Sequence, residues 1–341
     1  MELTTVADDF AVVFDDFDVR IYDDLEPDHL YEYDGFAFRT LPRPPGELLC
    51  AFATVNDVHF GETDCGIIEG LDMGPIFRVE EGEEPYPITM NRGAIAEIAR
   101  RDMAAVVVKG DLTSFGTFAE YQQFLDHYST AFGDRLVHVR GNHDAYYGNT
   151  FADDAPTLVE LPGIALAVID TSIPAQASGQ VTSETLSWLS DVTASRDGSV
   201  LLFGHHHVWS PEGLSRPANY FGINPDDSER LVEVVAARPA ITGYFAGHTH
   251  RNRVRRFGAT GDVPWVEVAC VKDFPGAWAE YRVFEGGVLQ VFHRIATPDA
   301  LVWTQQTREM YAGSYFGYAF GELADRCFPI WPRRPDPGRS G

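Results

Sequence analysis

Five short polar segments, each closing an apolar run, constrain this chain more than anything else in it. They are Asp57-Val58-His59, Gly110-Asp111, Gly141-Asn142-His143-Asp144, Gly204-His205-His206-His207 and Gly247-His248-Thr249-His250. Seven of the eleven histidines lie in them. The preceding runs, at 48–55, 104–108, 136–139, 200–203 and 241–245, are short and apolar, and another covers 164–169. Such runs read as strands buried on both faces. Helical patterns alternate with them at 91–101, from Thr117 onward, at 183–193 and at 228–237. The helix after Thr117 opens on a capping box with Glu120 and lines up Phe118, Tyr121, Phe124, Leu125, Tyr128 and Phe132 on one face. The alternation predicts an α/β fold. Sheets of this kind gather their ligand sites at the carboxyl ends of the strands, so five polar strand ends converge on one edge.

The residue types at that edge are carboxylate, imidazole and one amide, which suit divalent and trivalent cations of borderline hardness: Fe, Mn, Zn or Co. Asp57 and His59 stand two residues apart, as do His248 and His250, so each pair is able to hold one ion from a turning strand end. A glycine precedes both Asp111 and Asn142, which permits a close backbone approach in a crowded site. Taken singly, Asp57 or Asp111 also suits a turn or a helix cap, and His143 a buried core position. Taken together, the segments predict a two-metal centre. His206 is open between substrate contact and packing, and His207 reads as structural.

The ordered set Asp57/His59, Asp111, Asn142/His143/Asp144, His205 and His248/His250 resembles the calcineurin-like metallophosphoesterase superfamily over about residues 50–295. The resemblance implies a four-layer α/β/β/α sandwich. It implies one metal held by Asp57, His59, Asp111 and His250, and a second held by Asp111, Asn142, His205 and His248, with Asp111 bridging. It implies that His143 is catalytic and that Asp144 orients its imidazole. The implied reaction is phosphoester hydrolysis by a metal-bridging hydroxide. The stretch Gly110-Asp111-Leu112-Thr113-Ser114-Phe115-Gly116 with Glu120-Tyr121-Gln122-Gln123-Phe124 is similar to class III cyclic nucleotide phosphodiesterases and glycerophosphodiesterases. The stretch Gly204-His205-His206-His207-Val208-Trp209-Ser210 is closer to purple acid phosphatases, but Ser114 stands where those enzymes carry a tyrosine ligand. The expected substrates are small phosphodiesters, such as cyclic nucleotides or glycerophosphodiesters. The alternatives are a phosphomonoesterase acting on metabolites or nucleotides, a non-catalytic metal-binding scaffold, and a nuclease.

Composition narrows the partners. With 51 acidic and 26 basic side chains the formal net charge is −25, which repels nucleic acid polymers and anionic membrane surfaces. A small anion is still admitted where metals reverse the local field. Only Lys109 and Lys272 are lysines. Cys50, Cys65, Cys270 and Cys327 are scattered, which suits free thiols. No basic start followed by an apolar stretch is visible, so the expected location is cytoplasmic.

Three units are expected. Residues 1–48 are a short β appendage resembling the later strands of a fibronectin type III module, 49–297 are the catalytic domain, and 298–341 are a C-terminal cap and tail. The aromatic run of that cap (Tyr311, Tyr315, Phe316, Tyr318, Phe320) suits either a lid on the domain or a homodimer contact. The long acidic loop 61–87, the loop 206–224 and the C-terminal cap are candidates for substrate choice, and the tail after Pro329 is expected to be disordered.

Overall fold

A computed structural model describes residues 1–68, 70–153 and 155–333. Residues 334–341, most of the tail expected to be disordered, lie outside the described residues.

Two six-stranded sheets form the centre. The first runs in the order Leu136–Val139, Val106–Lys109, Leu48–Val55, Ala277–Phe284, Gly287–Arg294 and Phe328–Ile330. Its first three strands are parallel and the rest antiparallel. The second runs Thr157–Leu161, Ile164–Val168, Ser199–Phe203, Ile241–Ala246, Trp265–Glu267 and Arg253–Arg255. Its four inner strands are parallel and its two edges antiparallel.

Strand alternation explains the layers. Side chains on successive strand residues point to opposite faces. Phe52, Val107, Leu166, Val168, Leu201 and Phe203 meet in one buried cluster between the sheets. Their neighbours Ala53, Val106 and Val108 pack instead with Met90, Phe124 and Tyr128 from the helices Tyr86–Ile98 and Phe118–Phe132. On the other side Ala165, Ala167, Val200 and Leu202 pack with Leu186, Leu189, Leu231 and Val235 from the helices Ser183–Thr193 and Pro225–Ala237. The result is the expected four-layer α/β/β/α sandwich.

The capping box forms: Thr117 Oγ1 accepts from the Glu120 amide at 3.2 Å, and Glu120 Oε2 accepts from the Thr117 amide at 3.0 Å. The first helix opens at Tyr86, five residues before the expected start, because Pro87 suits a first turn. The helix expected at 228–237 opens at Pro225 for the same reason, with Asn224 as its cap.

The strands Glu2–Val6, Ala11–Asp15 and Asp18–Tyr22 form a separate antiparallel sheet, and Leu30–Tyr33 pairs with Phe36–Arg39. Thr5 Oγ1 donates to the Phe292 carbonyl at 2.7 Å, and Arg282 reaches Asp8 and Asp9 at 2.9 and 2.7 Å, which holds this segment on the first large sheet. All four cysteines are free thiols. Among the described residues no helix is long and apolar enough to cross a membrane.

Candidate metal centre

The polar strand ends do converge. Asp57 and His59 follow Leu48–Val55, Asp111 follows Val106–Lys109, and Asn142 and His143 open a short helix beyond Leu136–Val139. The second sheet contributes His205 after Ser199–Phe203, and His248 and His250 after Ile241–Ala246.

Backbone conformation aims these side chains. Asp57, His59, Asp111, His248 and His250 all adopt positive φ, between 47° and 68°. That region costs a non-glycine residue about 1–2 kcal/mol, and such strain concentrates at functional sites. The turns are held by backbone bonds: the Val58 and His59 amides both donate to the Asp111 carbonyl, at 3.0 and 2.9 Å. The His248 amide donates to Asp57 Oδ1 at 3.0 Å, stitching the two sheets together. The expected role of the glycines holds. A Cβ on Gly110 would lie 2.6 Å from His205 Nδ1, and one on Gly141 would strike the Asp111 carboxylate.

The ligand atoms fall into two sets sharing Asp111. Asp57, His59 and His250 lie together, with His250 Nε2 3.5 Å from Asp57 Oδ1. His59 Nε2 lies 3.4 Å from Asp111 Oδ2. On the other side His205 Nε2 lies 3.2 Å from the same Asp111 Oδ2 and 3.1 Å from Asn142 Oδ1. The His248 ring completes this side, 5.0 Å from the His205 ring. Asp57, Asp111 and His205 also draw within ligand reach of one another, so the two sets are adjacent.

Charge and hydrogen bonding fit this donor set to cations. His205 Nδ1 donates to the Lys109 carbonyl at 2.8 Å, which aims Nε2 at Asp111 and Asn142. Burial lowers this imidazole, but the Asp111 carboxylate outweighs it and raises it to about 9, so a cation between them would displace the Nε2 proton. Burial pushes the His59 imidazole down to about 4 and holds His248 well below its ordinary range, so both are neutral ligands at neutral pH. Both ring nitrogens of His59 and Nε2 of His248 are buried without a hydrogen-bond partner. Asp57 and Asp111 are almost wholly buried. Burial raises a carboxyl group, but the imidazoles of His205 and His143 outweigh it and hold Asp111 well below the usual carboxylate range. Two buried carboxylates facing orphaned imidazole nitrogens match a pair of cations.

His143 lies within ligand reach of His59 and Asp111. Its ring centroid is 4.5 Å from that of His59, and its amide donates to Asp111 Oδ1 at 3.0 Å. The expected partnership with Asp144 does not form. The Asp144 carboxylate accepts from the amides of Leu112, Thr113 and Gly141 and from Thr113 Oγ1, at 2.6–3.0 Å. It therefore braces the Asp111 and Asn142 loops. The Ser114 carbonyl orients His143 instead, accepting from Nδ1 at 2.7 Å and leaving Nε2 free. Adjacent residues of a helix do not face each other, which is why sequence neighbourhood misleads here.

His206 is buried, its Nδ1 2.8 Å from Thr171 Oγ1 and its Nε2 unpartnered near His205 and His248. His207 is buried beside Tyr220, with ring centroids 5.2 Å apart.

Three residues to which the sequence assigned no role in the site complete the surroundings. Glu62 Oε2 is 3.2 Å from His59 Nδ1, and Asp273 Oδ2 is 3.4 Å from His250 Nδ1. Lys272 joins them, with Nζ 2.6 Å from Glu62 and 3.6 Å from Asp273. Where a histidine binds a metal, a carboxylate behind it can orient the ring. Asp273 stands so for His250, whereas Glu62 lies beside His59 without a hydrogen bond. The rarity of lysine was the one available signal for Lys272.

A four-layer sandwich with clustered histidine and aspartate side chains at one sheet edge fits a class of metal-dependent hydrolases. Residues 51–252 match the family model described as calcineurin-like phosphoesterase, and the chain belongs to that family. Relatives include a cAMP/cGMP dual specificity phosphodiesterase of Mycobacterium tuberculosis, 32% identical over 43% of this chain and 48% of its own. Another is the glycerophosphodiester phosphodiesterase GpdQ of Enterobacter lignolyticus, 30% identical over 43% of this chain and 55% of its own. The chain thus spans about half the length of the curated relatives it matches. Among solved structures, a dimetal phosphatase from Danio rerio superposes with TM-score 0.54 at 15% identity, covering 73% of this chain and 98% of that one. Purple acid phosphatase PPD1 from yellow lupin gives 0.50 at 13% identity, covering 77% and 54%. These two likenesses bear on the fold alone.

Proposed function

We propose that this protein is a metal-dependent phosphoester hydrolase, and that phosphodiesters such as cyclic nucleotides or glycerophosphodiesters are its substrates. The observation that carries this reading is Asp111, whose Oδ2 lies 3.4 Å from His59 Nε2 and 3.2 Å from His205 Nε2. The phosphodiesterase names of the relatives support the choice of diesters over monoesters. In this reading residues 49–297 are the catalytic unit, 1–48 an appendage and 298–341 a cap and tail, from which the strand Phe328–Ile330 adds to the first sheet.

Asp57, His59, Asp111 and His250 would hold one ion, and Asp111, Asn142, His205 and His248 the other. The donor set accepts Fe, Mn, Zn or Co. When bound, such a pair supplies Lewis-acid polarisation of the phosphoryl oxygens and lowers the pKa of a water. His143 has Nε2 free beside the bridging carboxylate, where it would give a proton to the departing ester oxygen. The Ser114 carbonyl fixes that ring, and Asp144 fixes the loops that carry Asp111 and Asn142.

The test is metal reconstitution followed by a panel of cyclic nucleotides, glyceryl diesters and phosphomonoesters, with Asp111→Ala as control. Diester turnover that needs metal, and loss of both ions in the variant, are expected. Full turnover by metal-free protein, or by Asp111→Ala, would sink the reading. Preference for monoesters would select the phosphomonoesterase alternative.

A further inference from the structure

The cavity over the metal centre, about 810 Å³, has an apolar wall. Ile67, Ile68 and Met73 come from the acidic loop, Phe221 from the loop after His207, and Tyr311 and Tyr318 from the C-terminal segment. Large apolar side chains are ordinary on a surface when scattered, but a contiguous group beside a site marks an interaction surface. Here Ile67 and Phe221 are more than half exposed, at 55% and 56%, and Ile68, Met73 and Tyr318 are at 40–44%.

The wall is joined to the ligand turns. The Phe221 ring stacks on His248 with centroids 4.0 Å apart. The Tyr318 hydroxyl donates to the Thr249 carbonyl at 3.0 Å, between His248 and His250. An apolar group carried by a phosphoryl centre at the metals would therefore reach the wall.

Charge sets the other limit. Among the described residues lining this cavity, the one Lys or Arg is Lys272. Its side chain is 6% exposed and is neutralised by Glu62 and Asp273. Glu62, Asp64 and Asp273 add negative charge to the lining. A second anionic group on a substrate would find no free cation there.

We propose that this wall is the specificity site of the enzyme, and that it selects phosphodiester monoanions bearing an aryl or similarly large apolar ester group. Polyphosphates, whose further anionic groups would reach the wall, and glyceryl diesters are disfavoured. The proposal rests on the phosphoesterase reading above and sharpens it: of the two diester classes named there, the wall favours the one with a planar base. Hydrolysis of such a diester breaks one P–O ester bond and joins the oxygen of water to phosphorus. The alcohol leaves with one proton.

The experiment uses the metal-loaded full chain and the double variant Ile68→Ala/Met73→Ala, whose side chains belong to neither ligand set. One missing methylene in an apolar pocket typically changes specificity ~10-fold or more. The wild type should favour a bis-aryl phosphate over a glyceryl aryl phosphate by at least ~10-fold in kcat/KM. The double variant should raise KM for the bis-aryl ester by a similar factor, with kcat and metal content unchanged. Calorimetry with diphenylphosphinate and dimethylphosphinate, which have no ester bond to cleave, reads the wall without turnover. Diphenylphosphinate should bind more tightly, and the double variant should lose the difference. Equal binding of the two, or an unaltered double variant, overturns the wall. Preferential binding of diphenylphosphinate with no hydrolysis of any ester would leave the wall standing and overturn the phosphoesterase reading.

Discussion

The metal edge and the wall facing it are built on opposite terms. At the edge every donor is buried or nearly so, each sits within a few residues of a buried strand, and five adopt a strained positive φ. At the wall the side chains are apolar, largely exposed and borne on loops and a C-terminal segment. The edge shows that a rigid double sheet can sustain about 1–2 kcal/mol of strain at several residues at once, in order to aim side chains. The wall puts the proposed specificity on loops and a terminal segment, as is usual where a rigid scaffold carries the chemistry.

Predictions sharpen this contrast from the edge outward. Asp111→Ala, which removes the shared ligand, should abolish turnover and release both ions. His143→Ala should lower kcat by ~10²–10⁴-fold while both ions stay bound, because the imidazole is read as a proton donor and not a ligand. Steady-state kinetics beside metal analysis separates the two variants, and loss of metal from His143→Ala would refute that division. Asp273→Asn should weaken metal retention at the Asp57–His59–His250 set by ~10–100-fold, as expected when the carboxylate behind a histidine is lost. Competition with a chelator measures it, and unchanged retention would show that Asp273 only packs.

The smallest effect lies far from the site. Burial would raise the Glu280 carboxyl, but His293 Nε2 at 2.8 Å and Arg282 Nε at 3.1 Å hold it down to about 2. A carboxyl group lowered by folding contributes stability that is full above its unfolded pKa, near 4.5, and is lost as the pH falls toward 2. Glu280→Gln should therefore cost about 2 kcal/mol at neutral pH and flatten the acid limb of the stability profile between pH 5 and 2. Urea titrations across that range would show it, and parallel acid limbs would contradict it.

The edge was legible because its signals are local. The strands Leu48–Val55 and Leu136–Val139 appear with the expected bounds, and each is most deeply buried at the end that leads into the polar segment. Their polar successors stand out against those runs. Asp144 was misread because adjacency in sequence does not bring its carboxylate to the His143 ring. Glu62, Lys272 and Asp273 were missed because their network spans 210 residues from loop to loop and follows no periodicity. The three segments that carry the wall were each expected to bear on substrate choice, but not to form one apolar surface. Its side chains come from three separated segments, and nothing along the chain says that they meet.

The central claim is that Asp111 joins two cation sites. A crystal structure of the metal-loaded protein with anomalous diffraction tests it directly. The account predicts two peaks, one among Asp57, His59 and His250, the other among Asn142, His205 and His248, with the Asp111 carboxylate touching both. A single peak, or a second ion held by His205, His206 and His248 without Asp111, would contradict it.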